Sequence, residues 1–163
     1  IADTSNFLTE HGIGSYEELL DRCEVASASA ARLKADLRDT GAKIDELALK
    51  MKHVAAYRQL KPIYDRYKAS RDKEKFLRGH ESEIILFEAA ARECKRLGAV
   101  PLPATERMQA EIDELNARKA ILKAELQKAQ RKEQDYAAMR QNVEDFLSPP
   151  QPERERKKNV ELE

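Results

Sequence analysis

A chain of 163 residues that is 41% hydrophobic and 6% aromatic has room for one modest domain, and too little apolar material for the thick core of most compact enzymes. Its 30 basic side chains balance 30 acidic ones, which excludes a global charge attraction to nucleic acid and leaves only a local one. Ala, Glu, Lys, Leu and Arg make up just over half of the sequence, against 5 Gly and 6 Pro, a composition that points to long helices or coiled coil.

The longest aliphatic or aromatic run, Ile84-Ile85-Leu86-Phe87, falls far short of the roughly 20 apolar residues a bilayer-spanning helix needs, so no membrane insertion is expected. The opening Ile1-Ala2-Asp3-Thr4-Ser5 has no Met, basic leader or apolar h-region, and the chain reads as a fragment of a longer protein. Cys23 and Cys94 are too few for a disulfide framework, and no Cys or His pair has zinc spacing. A cytoplasmic setting without metal or cofactor is the expectation.

Residues 1–14 read as a lead-in, with Phe7, Leu8 and Ile13 as its apolar residues and Gly12 and Gly14 as a flexible pair. Ser15-Tyr16-Glu17-Glu18 is a capping box: the Ser hydroxyl takes the N3 amide while Glu18 reaches back. Apolar residues then recur at Leu19, Cys23, Ala26, Ala30, Leu33, Leu37, Ile44, Leu47, Met51 and Val54, with Thr40 in the one vacant slot. Alternating steps of four and three predict a long helix over about 15–70, burying a narrow stripe against another helix. Past Val54 the phase slips to Tyr57, Leu60, Tyr64 and Tyr67, and Pro62 predicts a kink or break near 58–62.

A small cap is expected at 71–103: a helical turn at Lys73–Arg78, then beyond Gly79 an amphipathic helix through Ile84, Phe87, Ala91 and Cys94, closed by Lys95 and Arg96 before Gly98. Gly98–Pro103 reads as an extended connector held by two prolines. A last helix is predicted over 105–147, with its seam at Met108, Ile112, Leu115, Lys119, Leu122, Leu126, Ala129, Glu133 and Tyr136, then Met139, Val143 and Phe146. Residues 148–163 are polar, aperiodic and expected to be disordered. The long helices would span roughly 80 Å and 65 Å, so the expected fold is all-α: an elongated, coiled-coil-like antiparallel hairpin, 15–147, with its helical cap at the distal end.

Charge is unevenly spread: residues 1–24 carry net −5 and residues 57–80 net +5. The basic stretch holds Arg58, Lys61, Arg66, Lys68, Arg71, Lys73, Lys75 and Arg78, which can engage phosphates by displacing condensed counterions, while Tyr67 or Phe76 would stack on an unpaired base if exposed. A solvated helix face is the competing reading. Tyr57, Tyr64 and Tyr67 share one helical face and read as packing residues. His53 and His80 read as structural or capping residues, and adjacent helical positions point Glu81 and Glu83 apart, so no catalytic residue is assigned. Cys23 and Cys94 occupy apolar slots and read as small core residues.

Three segments carry a resemblance: Phe7-Leu8-x-x-His11-Gly12-Ile13-x-Ser15-Tyr16-Glu17-Glu18-Leu19, then Tyr57-x-x-x-Lys61-x-x-Tyr64-x-x-Tyr67, then Phe76-Leu77-x-x-His80-Glu81-x-Glu83-Ile84. Together with Leu97-Gly98, Leu102-Pro103 and Gln141-Asn142-Val143, their order resembles the C-terminal region of relaxase/mobilisation nucleases of bacterial conjugative and mobilisable elements, over about residues 7–147. The resemblance implies a noncatalytic accessory region lying downstream of a DNA-nicking domain that holds the nucleophilic Tyr and a metal-binding histidine cluster. This chain lacks the His-hydrophobe-His triplet of that domain, so no catalytic residue carries over. The implied partners are DNA, bound without sequence specificity, or conjugative transfer proteins, in the bacterial cytoplasm. The alternative is a coiled-coil dimerisation module whose seams pair between chains; a monomer is the favoured expectation.

Overall fold

The computed structural model describes residues 1–148. They form four helices, with no strand among the described residues: α1 (Ala2–Glu10), α2 (Tyr16–Ala69), α3 (Lys73–Arg96) and α4 (Thr105–Leu147). The tail expected to be disordered lies, from Pro149 on, outside the described residues. The chain divides into two compact units, Ile1–Ala31 with Gln127–Glu163, and Arg32–Leu126, and both long helices contribute to each.

In the first unit, α1 occupies the segment expected to be a lead-in. It has no buried residue, which is why apolar periodicity does not reveal it. Its end is fixed by Gly12, at φ 64°, where the amides of Gly12 and Ile13 donate to the carbonyls of Thr9 and Leu8. Those two bonds satisfy carbonyls that the helix terminus leaves open, and the accompanying Leu8 and Ile13 join the same apolar cluster. The cap of α2 forms with one difference. The Glu18 amide donates to Ser15 Oγ at 3.2 Å, but the Glu18 carboxylate accepts from Gly14 rather than from Ser15.

Leu19, 1% exposed, and Ala26 pack with Tyr136 of α4, flanked by Phe7, Leu8, Tyr16, Cys23, Met139 and Val143. Burying a leucine of this kind contributes about 1.5–3 kcal/mol. Tyr16 meets Glu144 and Cys23 meets Tyr136, so in this unit the two helix segments run in opposite directions. Phe146, expected in the seam, is 71% exposed, although Tyr136, Met139 and Val143 at the preceding seam positions pack inward.

In the second unit, α2 and α4 pack through Val54 and Met108, with Cys94 and Ala99 completing the cluster. The seam residues Leu33, Leu37, Ile44, Leu47 and Met51 are half-buried, and Thr40 is buried with its hydroxyl donating to the Asp36 carbonyl at 2.8 Å, which satisfies the one polar group in the row. α2 continues unbroken through Pro62, where a kink or break was expected. Tyr57 and Tyr64, on either side of the proline, both pack on Phe87 of α3, so both halves of α2 share a partner across the lost ladder bond.

The helical turn and the helix expected on either side of Gly79 are both present within α3, divided by a kink at His80 (φ −138°, ψ 24°). Pairing of Tyr67 with Phe76, Tyr64 with Phe87 and Val54 with Cys94 lays α3 alongside α2 in the opposite direction. Ala90, not Ala91, is the fully covered alanine of α3. The helix ends as α1 does: Gly98 at φ 68°, with the amides of Gly98 and Ala99 donating to Lys95 and Cys94.

Candidate nucleic-acid interface

The basic residues singled out in the sequence all lie in the second unit, on the last turns of α2, the 70–72 turn and the first turns of α3. They divide into two groups. Arg58 donates from Nη1 to Thr105 Oγ1 and from Nη2 to the Pro103 carbonyl, both at 2.7 Å, which fastens the connector and the start of α4 to α2. Lys61 is bound to Asp65 at 2.8 Å, and that hydrogen bond holds its ammonium above the usual lysine range. Lys61 is thus ion-paired, and two of the donors of Arg58 are taken up by neutral groups of the protein.

The second group is exposed: Arg66, Lys68, Arg71, Lys73, Lys75 and Arg78. None of the six forms an ion pair among the described residues. Asp72 is occupied as the N-cap of α3, accepting from the Lys75 amide at 3.0 Å. A continuous row of rings runs through the same region: Tyr57, Phe87, Tyr64, Tyr67, Phe76 and His80, with neighbouring centroids 4.3–6.3 Å apart. The Arg66 guanidinium lies 5.7 Å over the Phe76 ring and the Lys68 ammonium 5.3 Å over Tyr64. Such contacts hold a cation over an apolar surface without neutralising it.

Tyr67 and Phe76 are half-buried, with their ring centroids 6.3 Å apart. His80, at the bend in α3, lies 3.2 Å from Glu83, one turn on; that contact and the bend fit a local capping role. Among the described residues there is no group of three or more His, Cys, Asp or Glu side chains able to hold a metal ion. The tyrosine with a shifted hydroxyl is Tyr16, raised by its hydrogen bond to Glu144, the wrong direction for a nucleophile. Burial pushes both thiols up, Cys23 and Cys94 alike, as suits small core residues.

A second set of cations, Arg22, Lys128, Arg131 and Lys132 of the first unit, was not singled out in the sequence because acids and other bases surround them in the chain. The available signal was the i, i+3, i+4 spacing of 128, 131 and 132, which sets three like charges on one helical face. No helix among the described residues is long and apolar enough to cross a membrane. No family model, curated protein or solved structure matches this chain.

Proposed function

We propose that the chain is a noncatalytic helical accessory region of a DNA relaxase from a conjugative or mobilisable element, and that it holds the DNA backbone with the exposed cations of its second unit. The observation that carries the DNA half is that six cations, Arg66 through Arg78, sit exposed on adjoining turns of two helices with no acid paired to any of them among the described residues. The relaxase half rests on the order of the three resembling segments. The elongated antiparallel hairpin expected from the two seams belongs to this proposal as the scaffold that would carry the basic end.

Binding of this kind draws on displaced counterions and reads no sequence, since nothing in the cluster is arranged to meet base edges. Rings beneath Arg66 and Lys68 hold those cations in place before DNA arrives, which lowers the entropy lost on binding. Fluorescence anisotropy with single- and double-stranded oligonucleotides tests it. If four phosphates are engaged, affinity for duplex falls on the order of 100-fold between about 50 mM and about 200 mM salt. Charge reversal of Arg66, Lys68, Arg71 and Lys75 to glutamate abolishes duplex binding. Salt-insensitive duplex binding, or duplex binding that survives the reversal, contradicts the proposal.

A further inference from the structure

The first unit contains an open groove of about 410 Å³ whose residues come from three helical segments and whose charge is strongly one-sided. α4 supplies Lys128, Arg131 and Lys132 on one face, α2 supplies Arg22, and a single acid, Asp135, shares the lining. All four cations are exposed, and none makes an ion pair among the described residues. Like charges at i, i+3 and i, i+4 repel one another along this helix face.

Local structure fixes the groove. The Cys23 thiol donates to the Tyr136 carbonyl at 3.4 Å, which anchors α2 on α4 one residue after Arg22. The groove also has an aromatic side. Phe7 stacks on His11 with centroids 4.0 Å apart, and both meet the buried Tyr136 edge-on at 5.5 and 5.8 Å. The Phe7 carbonyl lies 2.9 Å from His11 Nδ1 and can only accept, so Nδ1 carries the proton and the exposed ring is held in one orientation. Lys132 lies 6.0 Å over Tyr136, at the junction of the charged and aromatic sides.

We infer that this groove binds a phosphate ester joined to a planar ring, the phosphate among Arg22, Lys128, Arg131 and Lys132 and the ring against His11 and Phe7. Both a free nucleotide and a nucleotide within a single strand carry that chemistry. Four cations around one groove suit a phosphate, and an aromatic step beside them suits a base through its π-face.

Calorimetric titration of the full chain with inorganic phosphate, thymidine monophosphate and a short oligothymidylate tests the site. The monophosphate is expected to bind at least about tenfold more tightly than inorganic phosphate, and the Lys128→Glu/Arg131→Glu variant to lose at least about tenfold for the ring-bearing probes. A Lys73→Glu/Lys75→Glu variant, altered only in the second unit, is expected to keep monophosphate affinity, so failure here is separable from failure of the DNA-binding proposal. Both substituted pairs are exposed, and circular dichroism checks that each variant keeps its helix content. If the strand binds more tightly than the monophosphate and loses as much in Lys128→Glu/Arg131→Glu, a single strand is the ligand; equal affinities assign the free nucleotide. Absence of binding by all three probes, equal binding of phosphate and monophosphate, or unchanged affinity in Lys128→Glu/Arg131→Glu overturns the inference.

Discussion

Alanine at Gly98 and alanine at Gly41 are expected to change stability in opposite directions, although a Cβ meets nothing within 4 Å at either position. Sterics against neighbours therefore cancel from the comparison, and backbone conformation alone decides. Gly98 sits at φ 68°, in the left-handed region, where its amide and that of Ala99 close α3. An alanine there pays about 1–2 kcal/mol for its Cβ, partly offset by about 0.4–1 kcal/mol from a less disordered unfolded chain, a net loss of about 1 kcal/mol. Gly41 lies within α2, where alanine is better than glycine by about 0.5–1 kcal/mol. For a chain of this size about 1 kcal/mol moves Tm by about 2–4 °C. Thermal melts followed by circular dichroism should thus show Gly98→Ala below the parent and Gly41→Ala above it. A Gly98→Ala melt at or above the parent temperature would refute the left-handed closure of α3.

Three further outcomes follow from the packing and the ion pairs. Leu19→Ala, at a side chain 1% exposed, should cost about 2–5 kcal/mol in urea unfolding, whereas a loss under about 1 kcal/mol would mean that the first unit is not packed around it. Tyr16 donates to Glu144 at 2.6 Å, and that bond, followed by Arg140, holds the Glu144 carboxyl below its usual 4.5. A lowered carboxyl stabilises the fold above its ordinary value, and this contribution is lost as pH falls through the folded value. Tyr16→Phe should therefore raise the Glu144 midpoint in a carbon-13 carboxyl titration, and an unmoved midpoint would show that Arg140 alone sets it. Arg58→Ala removes two hydrogen bonds to the 103–105 segment and should cost about 1 kcal/mol, while leaving oligonucleotide affinity within about twofold. A large affinity loss would place Arg58 among the DNA contacts.

The long helices were legible because their seams repeat in steps of three and four, and Ser15 marked the start of α2 with ordinary capping chemistry. α1 was hidden: nine residues with no buried side chain give no period, and Gly12, read as flexible, is its stop signal. At Pro62 a kink or break was expected within a helix running to about residue 70; α2 does run through the proline to Ala69, with Tyr57 and Tyr64, seven residues apart, packed on Phe87 from both sides of it. The basic stretch could be read from composition, but the separation of Arg58 and Lys61 from the other cations depends on Thr105, Pro103 and Asp65 lying within reach. The groove of the first unit joins Arg22 to Lys128 across more than a hundred residues, a distance that local patterns do not bridge.

The most direct test of the basic end is the slope of log affinity against log salt for duplex DNA, measured for the parent chain and for Lys73→Ala and Lys75→Ala. Each lysine that touches a phosphate should lower the magnitude of the slope by about 1, equally for unrelated duplex sequences, because only backbone is held. A slope unchanged in both variants, or a loss confined to one sequence, would contradict a phosphate-holding role for this end of the protein.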